Sequence, residues 1–240
     1  MNQILQSYIP HITHQAENRT IREVIHLLTQ DFPGGVTLSS SFSFEDQLIS
    51  HDILANQLGV SIFTLDTGRM FPETYSVWSR TNEKYNTQVA PYYPETEDIQ
   101  QFVKERGPNA FYESVENRKT CCHIRKVEPL SRALKGNALW ITGLRAEHSM
   151  TRQGLEMMEW DEINQVIKFH PILNWTTEEV RAYIDKEGIP YNPLHDKGFL
   201  SIGCAPCTRA IRPGEDFRAG RWWWEDQTKK ECGLHVTVVS

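Results

Sequence analysis

At 240 residues the chain is long enough for one large α/β domain with its own core and short for two. Its 39% hydrophobic and 23% charged residues are ordinary for a soluble globular protein, and a net charge of −6 argues against nucleic-acid binding, which leaves a basic excess. No apolar run approaches the ~20 residues of a membrane span. The polar start, with His11, His14 and Glu17, does not read as a signal peptide, and the two histidines read as surface residues. A cytoplasmic, reducing compartment is therefore expected, where thiols serve metals or chemistry more than disulfides.

In chain order, residues 21–28 carry helical apolar spacing, stopped by Asp31-Phe32-Pro33-Gly34-Gly35. A short buried strand at 36–38 feeds the small polar loop Ser39-Ser40-Ser41-Phe42-Ser43, and helical periodicity resumes over 45–58. A second strand over 60–65 ends at Asp66-Thr67-Gly68. This βαβ order predicts an α/β fold, a mainly parallel sheet with helices on both faces. Helices are expected over 99–104 and 122–134, strands over 139–142 and 165–169. A further helix opens at Thr176 with a capping box to Glu179. Residues 209–230 read as loop. One domain is expected over 1–208, followed by an irregular, mobile C-terminal tail over 209–240.

A strand, a loop of small polar residues and a helix N-terminus together make a ready anion site, since free N–H groups and the helix dipole face the ligand. An ordinary β-to-α connection is the equal alternative for 39–43 alone. Two more strand-end loops shift the balance, Asp66-Thr67-Gly68-Arg69 and Gly143-Leu144-Arg145, because parallel sheets bind ligands at the carboxyl ends of their strands. Asp66 is placed to accept from ribose hydroxyls. Arg69, Arg145 and Arg152 are placed to pair with phosphate or sulfate oxygens. The stretch Ser41-Phe42-Ser43-Phe44-Glu45-Asp46 resembles the phosphate loop of the adenine nucleotide alpha hydrolase (PP-loop) superfamily. It lacks the paired glycines of members that cleave ATP to AMP and pyrophosphate, which suits a smaller anion.

Five cysteines complete the inventory. Cys204-Ala205-Pro206-Cys207 has metal-ligand spacing, and Cys121-Cys122 is the other pair. Adjacent side chains diverge, which is awkward for one zinc ion but suits a cubane with separate iron corners. Iron–sulfur ranks first, zinc second and a disulfide last. His123, Arg125, Lys126, Arg209 and Arg212 supply cations near the pairs. Cys232, in Glu231-Cys232-Gly233-Leu234-His235, is left over in a polar tail with Lys229, Lys230 and His235 nearby to favour its thiolate.

Together these motifs resemble the assimilatory phosphosulfate reductase family, and more closely its iron–sulfur, adenylyl sulfate-reducing type. They are Lys119-Thr120-Cys121-Cys122-x-x-Arg125-Lys126, Gly143-Leu144-Arg145, Tyr191-Asn192-Pro193-Leu194-His195-Asp196, Ser201-Ile202-Gly203-Cys204-x-x-Cys207 and Glu231-Cys232-Gly233-Leu234-His235. The resemblance implies a 4Fe–4S cluster, one per chain, on Cys121, Cys122, Cys204 and Cys207. It implies a Cys232 nucleophile assisted by His235, with Lys126 between cluster and sulfate. Substrate contacts from Ser41, Phe42, Ser43, Glu45, Asp66, Thr67, Gly68, Arg69, Gly143, Arg145, Arg152, Arg218 and Arg221 are expected. Thioredoxin or glutaredoxin is the implied electron donor, a homo-oligomer is expected, and neither nucleic acid nor membrane is. Ser39-Ser40-Ser41-Phe42 also resembles cluster-free enzymes that prefer the 3′-phosphorylated nucleotide, so that substrate, or both, is the alternative. Remoter alternatives are an ATP-dependent sulfurtransferase or adenylyltransferase of the PP-loop superfamily, and a non-enzymatic iron–sulfur or zinc binding module.

Overall fold

A computed structural model of the chain describes residues 2–148, 154–226 and 234. The chain divides into two compact units, each discontinuous in sequence. The first gathers Met1–Phe63, Glu73–Ala90 and Leu134–Asn192; the second gathers Thr64–Pro72, Pro91–Ala133 and Pro193–Ser240.

The chain enters the first unit through helices α1 (Asn2–Ala16) and α2 (Ile21–Asp31). Thr20 and Glu23 close a capping box on α2, whose Val24, Ile25 and Leu28 face inward at helical spacing. Strand β1 (Val36–Ser39), helix α3 (Phe44–Ala55), strand β2 (Ser61–Leu65), helix α4 (Pro72–Tyr85) and strand β3 (Ala90–Tyr92) follow. Later come β4 (Leu139–Ile141), β5 (Met158–Asp161), β6 (Val166–Phe169) and α8 (Thr177–Lys186), the last opened by a capping box of Thr176 and Glu179. Between β3 and β4 lie α5 (Thr96–Arg106), α6 (Val115–Cys122) and α7 (Glu128–Leu134).

The sheet order is β3-β2-β1-β4-β6-β5. β1 pairs in parallel with β2 and β4, β4 with β6, and only the β5–β6 hairpin is antiparallel. The expected mainly parallel α/β sheet is what forms. The chain steps outward from β1 to β2 and β3, then returns to β1's other side with β4. That reversal puts the carboxyl ends of β1 and β4 at the switch point where doubly wound sheets hold ligands. One apolar core serves this unit, with Leu38, Ile141, Ile167 and Phe169 from the strands packed with Leu48, Ile53 and Val180 from the helices.

The second unit has a smaller core, built from Phe102, Phe111, Trp222 and the sulfurs of Cys121, Cys204 and Cys207. Residues 209–226 are turns and irregular chain, fastened by an isolated antiparallel bridge between Thr208 and Arg221. The helix expected over 122–134 is interrupted. α6 ends at Cys122, a π-helical turn spans His123–Val127, and α7 follows. Among the described residues no helix is long and apolar enough to cross a membrane.

Candidate active site

In the first unit the loop after β1 braces itself. Asp46, in the first turn of α3, accepts from the Ser41 N–H at 2.6 Å and the Ser41 hydroxyl at 2.7 Å. Ser43 caps α3 by accepting from the Asp46 N–H at 3.3 Å, and Ser40 Oγ accepts from the Phe42 N–H at 3.2 Å. The strand-end residue Gly143 abuts this loop so closely that an added Cβ would collide with Asp46 Oδ1 and Glu45 Cβ. A glycine is needed here for close approach of the chain after β4 to the first turn of α3. Arg145 follows, 1% exposed, donating from Nε to Glu45 Oε1 at 3.0 Å. Its other donors reach Glu147 Oε2, the Trp175 carbonyl at 3.0 Å and Thr177 Oγ1 at 3.0 Å. His148 Nε2 stands 3.2 Å from Glu45 Oε1. The expected loop residues Ser41, Phe42, Ser43, Glu45, Gly143 and Arg145 are thus brought together, with Arg145 spent on protein acceptors.

In the second unit the loop after β2 joins the cysteines. Asp66 Oδ1 accepts from the Gly68 N–H at 2.8 Å, and the Thr67 carbonyl takes a hydrogen bond from Arg125 Nη1. Cys204 Sγ lies 3.3 Å from Thr67 Oγ1, and the Ala205 N–H donates to the Arg69 carbonyl at 2.8 Å. Cys121, Cys122, Cys204 and Cys207 line one cavity with Arg69, Phe111, Arg118, Arg125, Lys126 and Pro206. α6 delivers Cys121 and Cys122 at its end, and the wider π turn carries Arg125 and Lys126 to the same rim. Arg221, 7% exposed, presses on Gly203, where a Cβ would collide with its guanidinium. Arg218 is half-buried, its N–H donating to Asp216 Oδ1 at 2.8 Å. Arg152, Cys232 and His235 lie outside the described residues.

A sequence profile of the phosphoadenosine phosphosulfate reductase domain matches residues 35–210. The chain belongs to the phosphoadenosine phosphosulfate reductase family. A similar protein is the adenosine 5′-phosphosulfate reductase of Burkholderia cepacia, 50% identical over 205 residues, covering 85% of this chain and 82% of that protein. Among solved structures, phosphoadenylyl-sulfate reductase from Candida auris, in a phosphate complex, matches with a TM-score of 0.73 and 28% identity. That match covers 86% of this chain and 97% of the other. The fold alone is shared with Candida glabrata FMN adenylyltransferase bound to ATP, at a TM-score of 0.54 and 14% identity, covering 91% and 74% of the two chains. The chain is an oxidoreductase of the reductase family.

Burial sets the electrostatics of this reductase. It pushes the Cys207 thiol up to about 12 and raises Cys121, and nearby cations only partly oppose this. Thiolates, the metal-binding form, therefore need a positive centre beside them. The four thiols fit a thiolate-held metal group by type and by shared cavity. Among the described residues no group of three or more His, Cys, Asp or Glu side chains is set closely enough to chelate a single ion. Sequence reading missed Arg118, which is 1% exposed, forks onto Glu225 at 2.8 and 3.0 Å and stacks on Trp222 at 4.6 Å. Arg221 stacks on the same ring at 4.7 Å. The position of Arg118, four residues before Cys122 on α6, was the available signal.

In the first unit burial raises the pKa of Glu45, but His148 and Arg145 outweigh it and hold the group down at about 2. A carboxylate depressed on folding stabilises fully above its ordinary value of 4.5 and loses that support as pH falls toward about 2. Glu45→Gln is therefore expected to cost about 3 kcal/mol at pH 7 and about 2 kcal/mol at pH 3.5. Urea titrations at the two pH values check this, and an equal cost at both contradicts it. Asp46 works in the opposite sense. Burial pushes it up to about 6 against the Ser41 hydrogen bonds, so its cost is absent in acid, grows as pH rises from its ordinary value of 3.8, and is complete above about 6.

Proposed function

We propose that this reductase converts adenylyl sulfate to sulfite and AMP with electrons from a dithiol protein such as thioredoxin or glutaredoxin. The observation that carries the reading is the gathering of Cys121, Cys122, Cys204 and Cys207 on one cation-rimmed cavity, the ligand set of the iron–sulfur type. The similarity to an adenosine 5′-phosphosulfate reductase at 50% identity supports the choice of nucleotide. These four cysteines would hold a 4Fe–4S cluster, one per chain, which supplies fixed negative charge and not the electrons of the reaction.

In the proposed chemistry the Cys232 thiolate attacks the sulfur of the sulfo group. An S–S bond forms, the S–O bond to the phosphate breaks, and AMP leaves as the dianion. A donor thiolate then attacks Cys232 Sγ and expels sulfite, and the donor's second thiol resolves the mixed disulfide. The donor is oxidised by two electrons and sulfur falls from the sulfate to the sulfite level. Lys126, on the cavity rim, meets the sulfo oxygens; Arg69, Arg152, Arg218 and Arg221 bear on the anionic substrate. Asp66, Thr67 and Gly68 bear on the ribose side. Ser41, Phe42, Ser43, Glu45, Gly143 and Arg145 form and order the nucleotide loop. His235 assists Cys232, and the tail over 209–240 brings both to the domain over 1–208. The wild-type protein, reduced anaerobically, is assayed for sulfite and AMP with adenylyl sulfate, its 3′-phosphorylated form, or ATP. Sulfite from adenylyl sulfate supports the reading. Sulfite from the 3′-phosphorylated nucleotide alone, as the Candida auris match allows, corrects the substrate. Pyrophosphate from ATP, without sulfite, overturns it.

A further inference from the structure

Phe42 stands in a backbone conformation that its side chain disfavours. Its φ is +59°, in the left-handed region that glycine, asparagine and aspartate visit readily and an aromatic residue does not. The reversal at this residue lets the chain pass from Ser41, held by Asp46, to Ser43, which caps α3. Something must keep the residue there, because nothing in its own local preferences does. Its N–H bond to Ser40 Oγ at 3.2 Å is one restraint. The larger one is the ring, which is 1% exposed and stacked on Trp78 of α4 with centroids 5.7 Å apart and planes 22° apart. Trp78 is itself backed by Tyr75, at 6.5 Å and 20°.

The column Tyr75–Trp78–Phe42 therefore runs from α4 into the anion loop, and each ring lies nearly parallel to the next in an offset stack. The Trp78 indole N–H is buried with no hydrogen-bond partner among the described residues, so ring faces and not a polar bond define how it holds its neighbour. Glycine at position 42 would accept the same φ without strain, but would leave the loop free to leave it. A packed aromatic does the reverse: it fixes a strained turn by burial.

We infer that Trp78 is a positioning residue for nucleotide binding, acting through Phe42 to hold the loop over 40–43 in its ligand-ready form before the nucleotide arrives. The inference rests on the reading of this loop as the nucleotide's. Pre-ordering of this kind improves binding in ground and transition states alike, so its loss appears in KM and not in kcat.

The test is a double-mutant cycle on the cluster-loaded protein. KM and kcat for adenylyl sulfate, the dissociation constant for AMP and the melting temperature are measured for wild type, Trp78→Ala, Trp78→Phe, Phe42→Gly and Phe42→Gly/Trp78→Ala. Trp78→Ala is expected to raise KM and the AMP constant about tenfold with kcat within about twofold. Trp78→Phe, which keeps a ring face, should recover most of that loss. In the Phe42→Gly background Trp78→Ala should change binding by less than about twofold, because the ring it holds is gone. An unchanged AMP constant in Trp78→Ala overturns the inference, as does a loss of equal size in the glycine background or a failure of phenylalanine to rescue. If Trp78→Ala does not fold, Trp78→Leu takes its place in the cycle. Wild-type protein that makes no sulfite sinks the functional reading, and the AMP titrations still decide the role of Trp78.

Discussion

Replacing Cys232 by serine is expected to lower sulfite formation from adenylyl sulfate at least about a thousandfold, with cofactor content and melting temperature unchanged. In the proposed chemistry the bond that forms is sulfur to sulfur, and a second thiol then breaks it. A hydroxyl is not ionised near neutrality, and an oxygen bonded to the sulfo group gives the donor no disulfide-like centre to attack. The other four cysteines are poorly suited to stand in. They line one cavity together, three of them buried, and a sulfur committed to a metal group is not free to carry a sulfonate. Steady-state sulfite release with excess thioredoxin, beside iron analysis and a thermal melt, checks the expectation. Activity above about a tenth of wild type would place the nucleophile elsewhere. Cys204→Ser is the complementary variant: it should lose bound iron while retaining the Cys232 thiol.

Arg145→Ala is expected to be the most destabilising single change at the switch point. The guanidinium is 1% exposed and its donors are taken by Glu45, Glu147, Thr177 and the Trp175 carbonyl. Removing it leaves the Glu45 carboxylate buried without its guanidinium partner, beside the His148 ring. Breaking a buried pair from one side costs about 3–5 kcal/mol, because the surviving charge keeps its desolvation penalty. For a chain of this size that lowers the melting temperature by about 10 °C. Arg145→Lys should not recover it, since a point charge cannot serve acceptors on several sides of a planar fork. The KM for adenylyl sulfate should rise as well, because Glu45 lies in the first turn of α3, directly after the loop proposed to take the nucleotide. A melting temperature within about 2 °C of wild type, with a raised KM, would mean that Arg145 grips the nucleotide and not the fold.

Periodicity and punctuation made much of this chain legible. The βαβ order through Asp66, the Thr176–Glu179 capping box and the cysteine pairs all stand in the structure where the residue pattern puts them. Helices α1 and α4 were not legible for a physical reason. α1 carries Pro10, a helix breaker, within its apolar stripe, and α4 is largely polar with only Thr74, Val77 and Thr81 buried, so it shows no wide apolar stripe. β3 and β5 are short edge strands whose pairing depends on neighbours distant in sequence. The same holds inside the site. A cysteine spacing announces its chemistry locally, whereas the Arg118–Trp222–Glu225 stack and the Phe42–Trp78 column join residues that only the folded chain brings together. Arg145 shows the limit most clearly: its type and place at a strand end read as an anion ligand, and only the geometry reveals that its donors are engaged by protein acceptors.

The most direct test is a single turnover read by intact mass. Protein purified anaerobically, reduced and freed of reductant is mixed with adenylyl sulfate alone, and peptide mapping locates any added mass. The expected result is one sulfonate on Cys232 with an equal amount of AMP, absent in Cys232→Ser and discharged as sulfite when thioredoxin is added. Protein with its iron intact that forms sulfite only when donor is present, and carries no sulfonate on Cys232 before it, would contradict the thiol mechanism.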